Sequence, residues 1–500
     1  MAERSLTFAA GAMAGGLDAA GLPQGPDATW SGAAIDSRRI AGGELFFALP
    51  GEHADGHDFA AAAVQRGAAA AVVQRDDVDL GGGARIRVAD TYEALHALTR
   101  AVRSEVPERL VGITGSAGKT TTKELLAAML GRRYRVAKSP GNFNNLLGFP
   151  MALLGIPDDC QWMVAEMGMS TPGELAQVSR LGRPDVALFT NVRAVHLENF
   201  SSLDAIADAK SELLAGLSQE GLVVANADDP RVMSIASRYL ERAEGGRVVT
   251  FGFGAGADVR ASSVAPLADR GGDWRPGSRF QIEAAGERRT IELPIHGSYN
   301  VENCLAAAAC AHALGVPLAE IAAAAADFSP SSMRGEIHRL EDGPTVIDDS
   351  YNSNPDAAAK ALASARQLPA SRHVAVLGDL LELGPDEGDF HREVGRGAAE
   401  LGFAHVVAVG ALSEALASGT AAAGGRATAL PDAAAAADWL RSPEGLEGGP
   451  LGRGDLVLVK GSRGVGLEVA VRALLDAEPV DSEPVDAHSS QSADGGGGIG

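Results

Sequence analysis

The stretch Gly112-Ile113-Thr114-Gly115-Ser116-Ala117-Gly118-Lys119-Thr120-Thr121-Thr122 is where residue types and spacing come closest to naming a chemistry. Its glycines let backbone N–H groups crowd around phosphates, Lys119 supplies a point charge, and Thr120 can offer its hydroxyl to magnesium. Gly115, Ser116, Ala117, Gly118, Lys119, Thr120 and Thr121 are therefore the expected nucleotide contacts. The spacing is a variant, G-x-x-G-x-x-G-K-T, because Ile113 stands where the strict G-x-x-x-x-G-K-[ST] pattern needs glycine. A Gly-rich turn with an exposed lysine is the competing interpretation, and the setting between a strand and a helix weighs against it. The loop alone leaves GTPase, kinase, ATPase and ligase open.

Such a loop needs a strand behind it and a helix in front. Residues 109–114 form a short apolar run suited to a buried strand, and 123–130 read as a helix. Apolar runs at 162–165, 186–189 and 222–225 alternate with helical patterns such as 172–181, which predicts a parallel sheet covered on both faces. Residues 252–286, rich in Gly, Arg and Asp, read as a peripheral hairpin region. After Pro330 the alternation restarts, with β-rich runs at 345–347, 373–377, 405–409 and 456–459 between Ala-rich helical segments. The expected fold class is α/β in three domains, with a central P-loop ATPase-like parallel sheet and a C-terminal Rossmann-like unit.

The chain has 500 residues, which at about one to two hundred per domain suggests roughly three domains. The expected boundaries are 1–107, 108–330 and 331–477, with a linker at Glu105-Val106-Pro107-Glu108. Residues 478–500 are Ser, Asp, Glu, Pro and Gly with little apolar content, and predict a disordered tail without catalytic function. Lys+Arg number 43 against 65 Asp+Glu, a net charge of -22, so the average surface repels nucleic acid and acidic membrane faces. A phosphate-bearing ligand must find a locally positive pocket. Three cysteines, Cys160, Cys304 and Cys310, are too few and too irregular for a disulfide framework or a metal cage. With no leader pattern and no apolar run approaching the roughly 20 residues of a spanning helix, the expectation is a cytoplasmic protein without membrane insertion.

Three further segments narrow the reaction. The G-I-T-G-S-A-G-K-T-T-T-K-E run is followed by Ala165-Glu166-Met167-Gly168, by Thr190-Asn191-Val192-Arg193-Ala194-Val195-His196-Leu197-Glu198, and by Ala209-Lys210-Ser211-Glu212. In this order they resemble the Mur ligase family, the ATP-dependent amide-forming enzymes of bacterial cell-wall precursor synthesis, over nearly the whole chain to about residue 475. The resemblance implies ATP and Mg2+ as cofactors, and a substrate carboxylate that is phosphorylated and then attacked by an amine. It implies Lys119, Glu166, His196, Lys210 and Arg334 as catalytic residues, and Thr120, Glu166, His196 and Lys210 around magnesium, Lys210 as a carbamate. Without it, Glu166 is a surface cap, His196 a polar loop residue and Lys210 a solvated helix residue. Two anions must meet in such a reaction, so cationic groups have to offset their repulsion in a partly dry site.

The same resemblance assigns Asn300 and Asn303, in His296-Gly297-Ser298-Tyr299-Asn300-Val301-Glu302-Asn303, to the base or ribose; three residues apart, they share a helical face. Arg334, Asp349 and Asn352 are expected to reach the nucleotide from the third domain. Asp348-Asp349-Ser350-Tyr351-Asn352-Ser353-Asn354-Pro355 looks like the D-D-x-Y-N-A-N-P form of the D-alanyl-D-alanine-adding members, with Ser353 for alanine. Ser139-Pro140-Gly141-Asn142-Phe143-Asn144-Asn145 and Leu377-Gly378-Asp379-Leu380-Leu381-Glu382-Leu383-Gly384, followed by His391, point the same way. Asn142, Asn144, Asn145, Thr190 and Asn191 are expected to face the substrate, and Ser37 and Arg38 its UDP end, where Arg38 meets a phosphate or pairs with Asp36.

The implied partners are UDP-N-acetylmuramoyl-tripeptide, bound by the first domain, and D-alanyl-D-alanine, delivered from the third, with the enzyme a monomer. Two alternatives stand beside this: a family member adding a single amino acid, and a nucleotide-dependent switch without ligase chemistry.

Overall fold

The computed structural model describes residues 4–19, 25–51, 53–106, 109–157, 159–195, 197–267, 276–340, 343–441, 446–447, 449 and 451–475. The expected tail, His196 and the Pro107-Glu108 part of the expected linker lie outside the described residues.

Three sheets of five, nine and six strands carry the chain, beside a small two-stranded pairing. The first runs in the order Gly16–Asp18, Arg85–Arg87, Ala70–Val73, Leu45–Phe47, Ala33–Ala34, parallel except at Gly16–Asp18. Beside it the helix Thr91–Glu105 is capped by the Asp90 carboxylate, which accepts from Glu93 N at 2.9 Å. Its Ala94, Leu95, Leu98 and Val102 recur at helical spacing and are buried.

Third from one edge of the second sheet lies Arg109–Thr114, buried from Leu110 onward. Its neighbours are Trp162–Glu166 and Val186–Phe189, both parallel to it. The register sets Glu166 opposite Ile113 and Phe189 opposite Thr114. Glu166, the Gly115–Lys119 loop and Thr190 thus emerge at one carboxyl edge, where open α/β sheets bind ligands. The expected peripheral hairpin is an extension of this sheet's edge: Val259–Pro266 pairs parallel with Arg247–Gly252, and Ser278–Ala284 and Glu287–Leu293 follow as antiparallel strands. The helix Ser298–Ala313 is buried along Cys304–Ala311 and packs against the helix Lys119–Leu130. Alanine and cysteine side chains are small enough for that close approach.

The third sheet runs Glu336–Arg339, Thr345–Asp349, Asp455–Lys460, Arg372–Gly378, His405–Val409, Ala427–Leu430, with only the first strand antiparallel. All four predicted runs are strands. The two outer strands are partly exposed and lack a continuous apolar run, so the pattern did not signal them. No described helix is long and apolar enough to cross a membrane. The three cysteines are free and buried; burial pushes the Cys304 thiol up to about 12 and Cys310 up as well.

Candidate active site

Gly115 and Gly118 take φ values of 152° and 83°, and both are needed for close approach. A Cβ on Gly115 would collide with Thr190 Oγ1, and one on Gly118 with Asn303 Oδ1. The loop is therefore clamped from two sides. Thr190 Oγ1 donates to Ala117 O at 2.7 Å, Asn191 Oδ1 accepts from Ala117 N at 2.9 Å, and Asn191 O accepts from Ser116 N at 3.0 Å. Ser116 Oγ accepts from Arg193 N at 2.8 Å. Thr190 and Asn191 were expected at the substrate; in the structure they are buried and engage the phosphate loop, so they hold its shape. Asn300 and Asn303 are also buried, with Asn300 Nδ2 donating to His296 O at 2.8 Å and Asn303 packed on Gly118. That places them behind the loop rather than in an open base pocket.

Lys119 opens the helix Lys119–Leu130, and its ammonium folds back to donate to Gly115 O at 2.8 Å. Burial holds that ammonium below the usual lysine range; Glu166 opposes the shift, Arg334 adds to it, and Glu382 opposes it. Four charged groups from two sheets thus converge at the loop. Thr120 is buried in the same first turn.

Glu166, at the end of its strand, is 2% exposed. Lys123 Nζ lies 3.4 Å from its Oε1, yet that oxygen makes no hydrogen bond among the described residues. A buried carboxylate oxygen without a donor is costly, and a hard cation at this position would relieve it. The donor set of Thr120 hydroxyl and Glu166 carboxylate fits magnesium on that ground. Lys210, in the last turn of Leu203–Ser211, is 3% exposed and makes no side-chain hydrogen bond or ion pair among the described residues. Burial, then the charge of Lys119, drives its amine well below the usual lysine range. A lysine held neutral is a nucleophile as well as a weak ligand.

From the third sheet, the Arg334 guanidinium stacks 3.9 Å over the Tyr351 ring and acts on Lys119. Asp349 and Asn352 were expected at the nucleotide; the Asp349 carboxylate turns to Lys460, whereas Asn352 is exposed and meets Lys460 only through its backbone carbonyl. Lys460 Nζ donates to Asp349 Oδ2 at 2.7 Å and to Asn352 O at 3.1 Å. Asn354 caps the helix Pro355–Ala365 through Ala357 N at 2.9 Å, so part of this motif is local turn chemistry.

In the asparagine cluster, Asn145 Oδ1 accepts from Gly148 N at 2.8 Å and Asn144 O from Gly168 N at 2.8 Å, while Asn142 is exposed. Ser37 is buried, and Arg38 forms a bidentate pair with Asp36, Nε to Oδ1 at 3.0 Å and Nη2 to Oδ2 at 2.8 Å.

Three residues gained no role from sequence. Lys123, 1% exposed, donates to Ser139 O at 2.7 Å and Gly141 O at 3.3 Å, tying the asparagine loop to Glu166. Its signal was the i,i+4 spacing from Lys119, which puts both on one helix face. Arg193 links Asp229 (Nη1 to Oδ2, 2.6 Å) to Asp356 of the third sheet's first helix (Nε to Oδ2, 3.4 Å). Glu382 stands in a segment quoted above, yet nothing local distinguished it from a solvated carboxylate.

The Mur ligase middle domain model matches residues 113–311, the Mur ligase glutamate ligase domain model residues 333–463, and the Mur ligase family catalytic domain model residues 30–110. The UDP-N-acetylmuramoyl-tripeptide--D-alanyl-D-alanine ligase of Bacillus subtilis (strain 168) is 33% identical over 459 residues, covering 91% of this chain and 95% of that protein. Among solved structures, a MurF from Acinetobacter baumannii superposes with a TM-score of 0.81 at 30% identity, covering 95% of this chain and 99% of its own. The MurF ligase from Thermotoga maritima, solved in complex with ADP, gives 0.73 at 26% identity, covering 89% and 97%. The chain belongs to the Mur ligase family.

Proposed function

We propose that this chain is an ATP-dependent ligase joining D-alanyl-D-alanine to UDP-N-acetylmuramoyl-tripeptide, the reaction named for its B. subtilis relative. The observation that carries it is the convergence of Lys119, Glu166, Arg334 and Glu382 at one sheet edge, the last two from another sheet. In this reading residues 1–107 hold the UDP end, 108–330 the nucleotide, and 331–477 deliver the dipeptide. Ser37, Arg38, Asn142, Asn144 and Asn145 face the tripeptide substrate. The product is UDP-N-acetylmuramoyl-pentapeptide, and the enzyme works as a cytoplasmic monomer.

The Gly115–Gly118 loop, held in shape by Asn191 at the Ser116 and Ala117 amides, cradles the phosphates at the helix terminus together with Lys119 and Thr121. Asn300 and Asn303 support the nucleotide side through that loop, while Asp349 and Asn352, with Lys460, set the third-sheet loop beside Arg334. A substrate carboxylate oxygen then attacks the terminal phosphorus of ATP, the bond to ADP breaks, and an acyl phosphate forms. Lys119 and Arg334 offset the charge where the two anions meet. Thr120, Glu166, His196 and carbamylated Lys210 would hold magnesium, which neutralises phosphate charge when bound. Burial favours the neutral form of the Lys210 amine, whose lone pair adds to carbon dioxide; the N–C bond forms as one amine proton leaves.

Mass detection of the pentapeptide product after incubation with ATP, magnesium, tripeptide precursor and D-alanyl-D-alanine tests this reading. Product with a single diaminopimelate or lysine in place of the dipeptide would favour the rival specificity. Lys119→Ala should lower the rate by at least about 10²-fold, as removal of a buried charge-stabilising donor does. An active Lys119→Ala enzyme would overturn the site.

A further inference from the structure

Of the charges that act on Lys119, the third sheet supplies one cation, Arg334, and one anion, Glu382. A cation beside the phosphate loop suits a triphosphate. An anion there needs its own explanation, because it opposes nucleotide binding.

Glu382 lies four residues beyond the strand Arg372–Gly378, with φ at 65°. A non-glycine residue in the left-handed region is strained and persists only where its surroundings fix it. Here they do. The Asp379 carboxylate accepts from Ala411 N at 2.7 Å and Leu412 N at 3.0 Å, and Asp379 O accepts from Ser462 N at 2.9 Å. Leu380 N donates to Nε2 of the buried His391 at 2.9 Å, and Leu381 N to Ser462 Oγ at 2.9 Å. On the far side, a Cβ on Gly384 would lie 3.5 Å from Leu197 and Glu198 of the middle sheet's loop. The segment is braced from both sides, with the half-buried Glu382 at its apex and its charge felt by Lys119.

The ligase reading, on which this rests, sets a specific problem: the incoming dipeptide carries an α-amino group with a pKa of about 7.7–8.0, mostly protonated and unreactive at neutral pH. We propose that Glu382 binds this ammonium and takes its proton, acting as the general base for amide formation. The carboxylate accepts one proton, and the freed nitrogen lone pair forms the N–C bond at the acyl carbon. The C–O bond to phosphate then breaks, and the second nitrogen proton leaves with inorganic phosphate. Glu382 returns its proton to water after product departs.

The test separates activation from amide formation. Hydroxylamine, already neutral near neutral pH, traps the acyl phosphate as a hydroxamate without a base. For Glu382→Gln, hydroxamate formation should stay within about threefold of wild type while amide formation falls by about 10²–10⁴-fold, the usual span of a lost general base. That deficit should shrink as pH rises and the free amine accumulates. Glu382→Gly, which also relieves the left-handed strain, should show the same split in a chain at least as stable. An unchanged amide rate, an equal loss of hydroxamate, a raised magnesium requirement for hydroxamate, or a deficit insensitive to pH would each overturn the assignment. Wild-type enzyme that gives no hydroxamate would instead remove the ligase reading itself.

Discussion

The two interfaces of the middle sheet are built from opposite materials. Toward the first sheet, Leu95, Leu98 and Val102 of the helix Thr91–Glu105 belong to the same apolar cluster as Phe149, Leu153 and Leu181. Directional contacts only trim it: His96 Nε2 meets Leu146 O at 2.8 Å and Arg103 Nε donates to Gly182 O at 2.6 Å. The third sheet keeps its own clusters, drawn entirely from residues 337–475. It meets the middle sheet mainly through polar groups, with Tyr299 lining one small cavity beside Ile337, Ile347 and Leu458: His296 Nε2 stands against Ser364 O at 2.9 Å, Arg193 against Asp356, and Arg334 and Glu382 around Lys119. Apolar burial is lost outright when an interface opens, whereas hydrogen bonds and exposed ion pairs exchange for water at small net cost. One boundary is therefore fixed by the chain itself, and the other is set to take its closing energy from the phosphates and substrates between the sheets.

Breaking the apolar side should have the largest effect on stability. Leu98 is fully buried in the shared cluster, so Leu98→Ala should destabilise the protein by about 2–5 kcal/mol, through lost burial and the cavity left behind. Because the cluster spans both sheets, denaturant unfolding should show the first and middle units losing structure in one transition. Separate melting of the first unit, with nucleotide binding intact, would contradict the shared core.

On the polar side the buried amine of Lys210 gives an intermediate effect with a definite sign. Its folded amine lies well below the 10.5 of an unfolded lysine, so between those values the unfolded chain binds the extra proton. Stability should therefore rise with pH through that window, by at most about 1.4 kcal/mol per pH unit, and fall as pH drops. Urea unfolding of wild type and Lys210→Met in carbon-dioxide-free buffer, at about pH 7 and about pH 9, measures it: the variant should lose this slope. Equal slopes would mean that the folded ammonium is hydrated after all.

Sequence reading succeeded where pattern and burial coincide. The strand Arg109–Thr114, its parallel neighbours and four of the six C-terminal strands are continuous apolar runs because both faces are covered. Edge strands such as Ala427–Leu430 escaped for the converse reason. In the site, Lys119 and Thr120 were legible because strand, loop and helix are contiguous. Thr190 and Asn303 were recognised by motif but misplaced in role, since no local pattern shows that a side chain 70 or more residues away fills the space a glycine leaves. Arg193 and Glu382 depend wholly on tertiary placement. Charge is visible in a sequence; its counter-charge is not.

The smallest expected effect sharpens the contrast most. Asp356, 37% exposed, bridges to Arg193 from the third sheet and to Lys360 one turn along its own helix. Arg193 keeps the buried Asp229 as a partner when Asp356 is removed, so Asp356→Ala strands no buried charge. Unfolding free energy should change by less than about 1 kcal/mol, the range of an exposed pair plus one helix-terminus charge. What should move is the balance between docked and swung positions of the third unit: small-angle scattering without nucleotide should show a larger radius of gyration than wild type, and the difference should vanish with ADP and magnesium bound. A loss of stability comparable to that of Leu98→Ala would mean that the polar face is part of the folding core, and the distinction between a fixed and a ligand-closed boundary would fail.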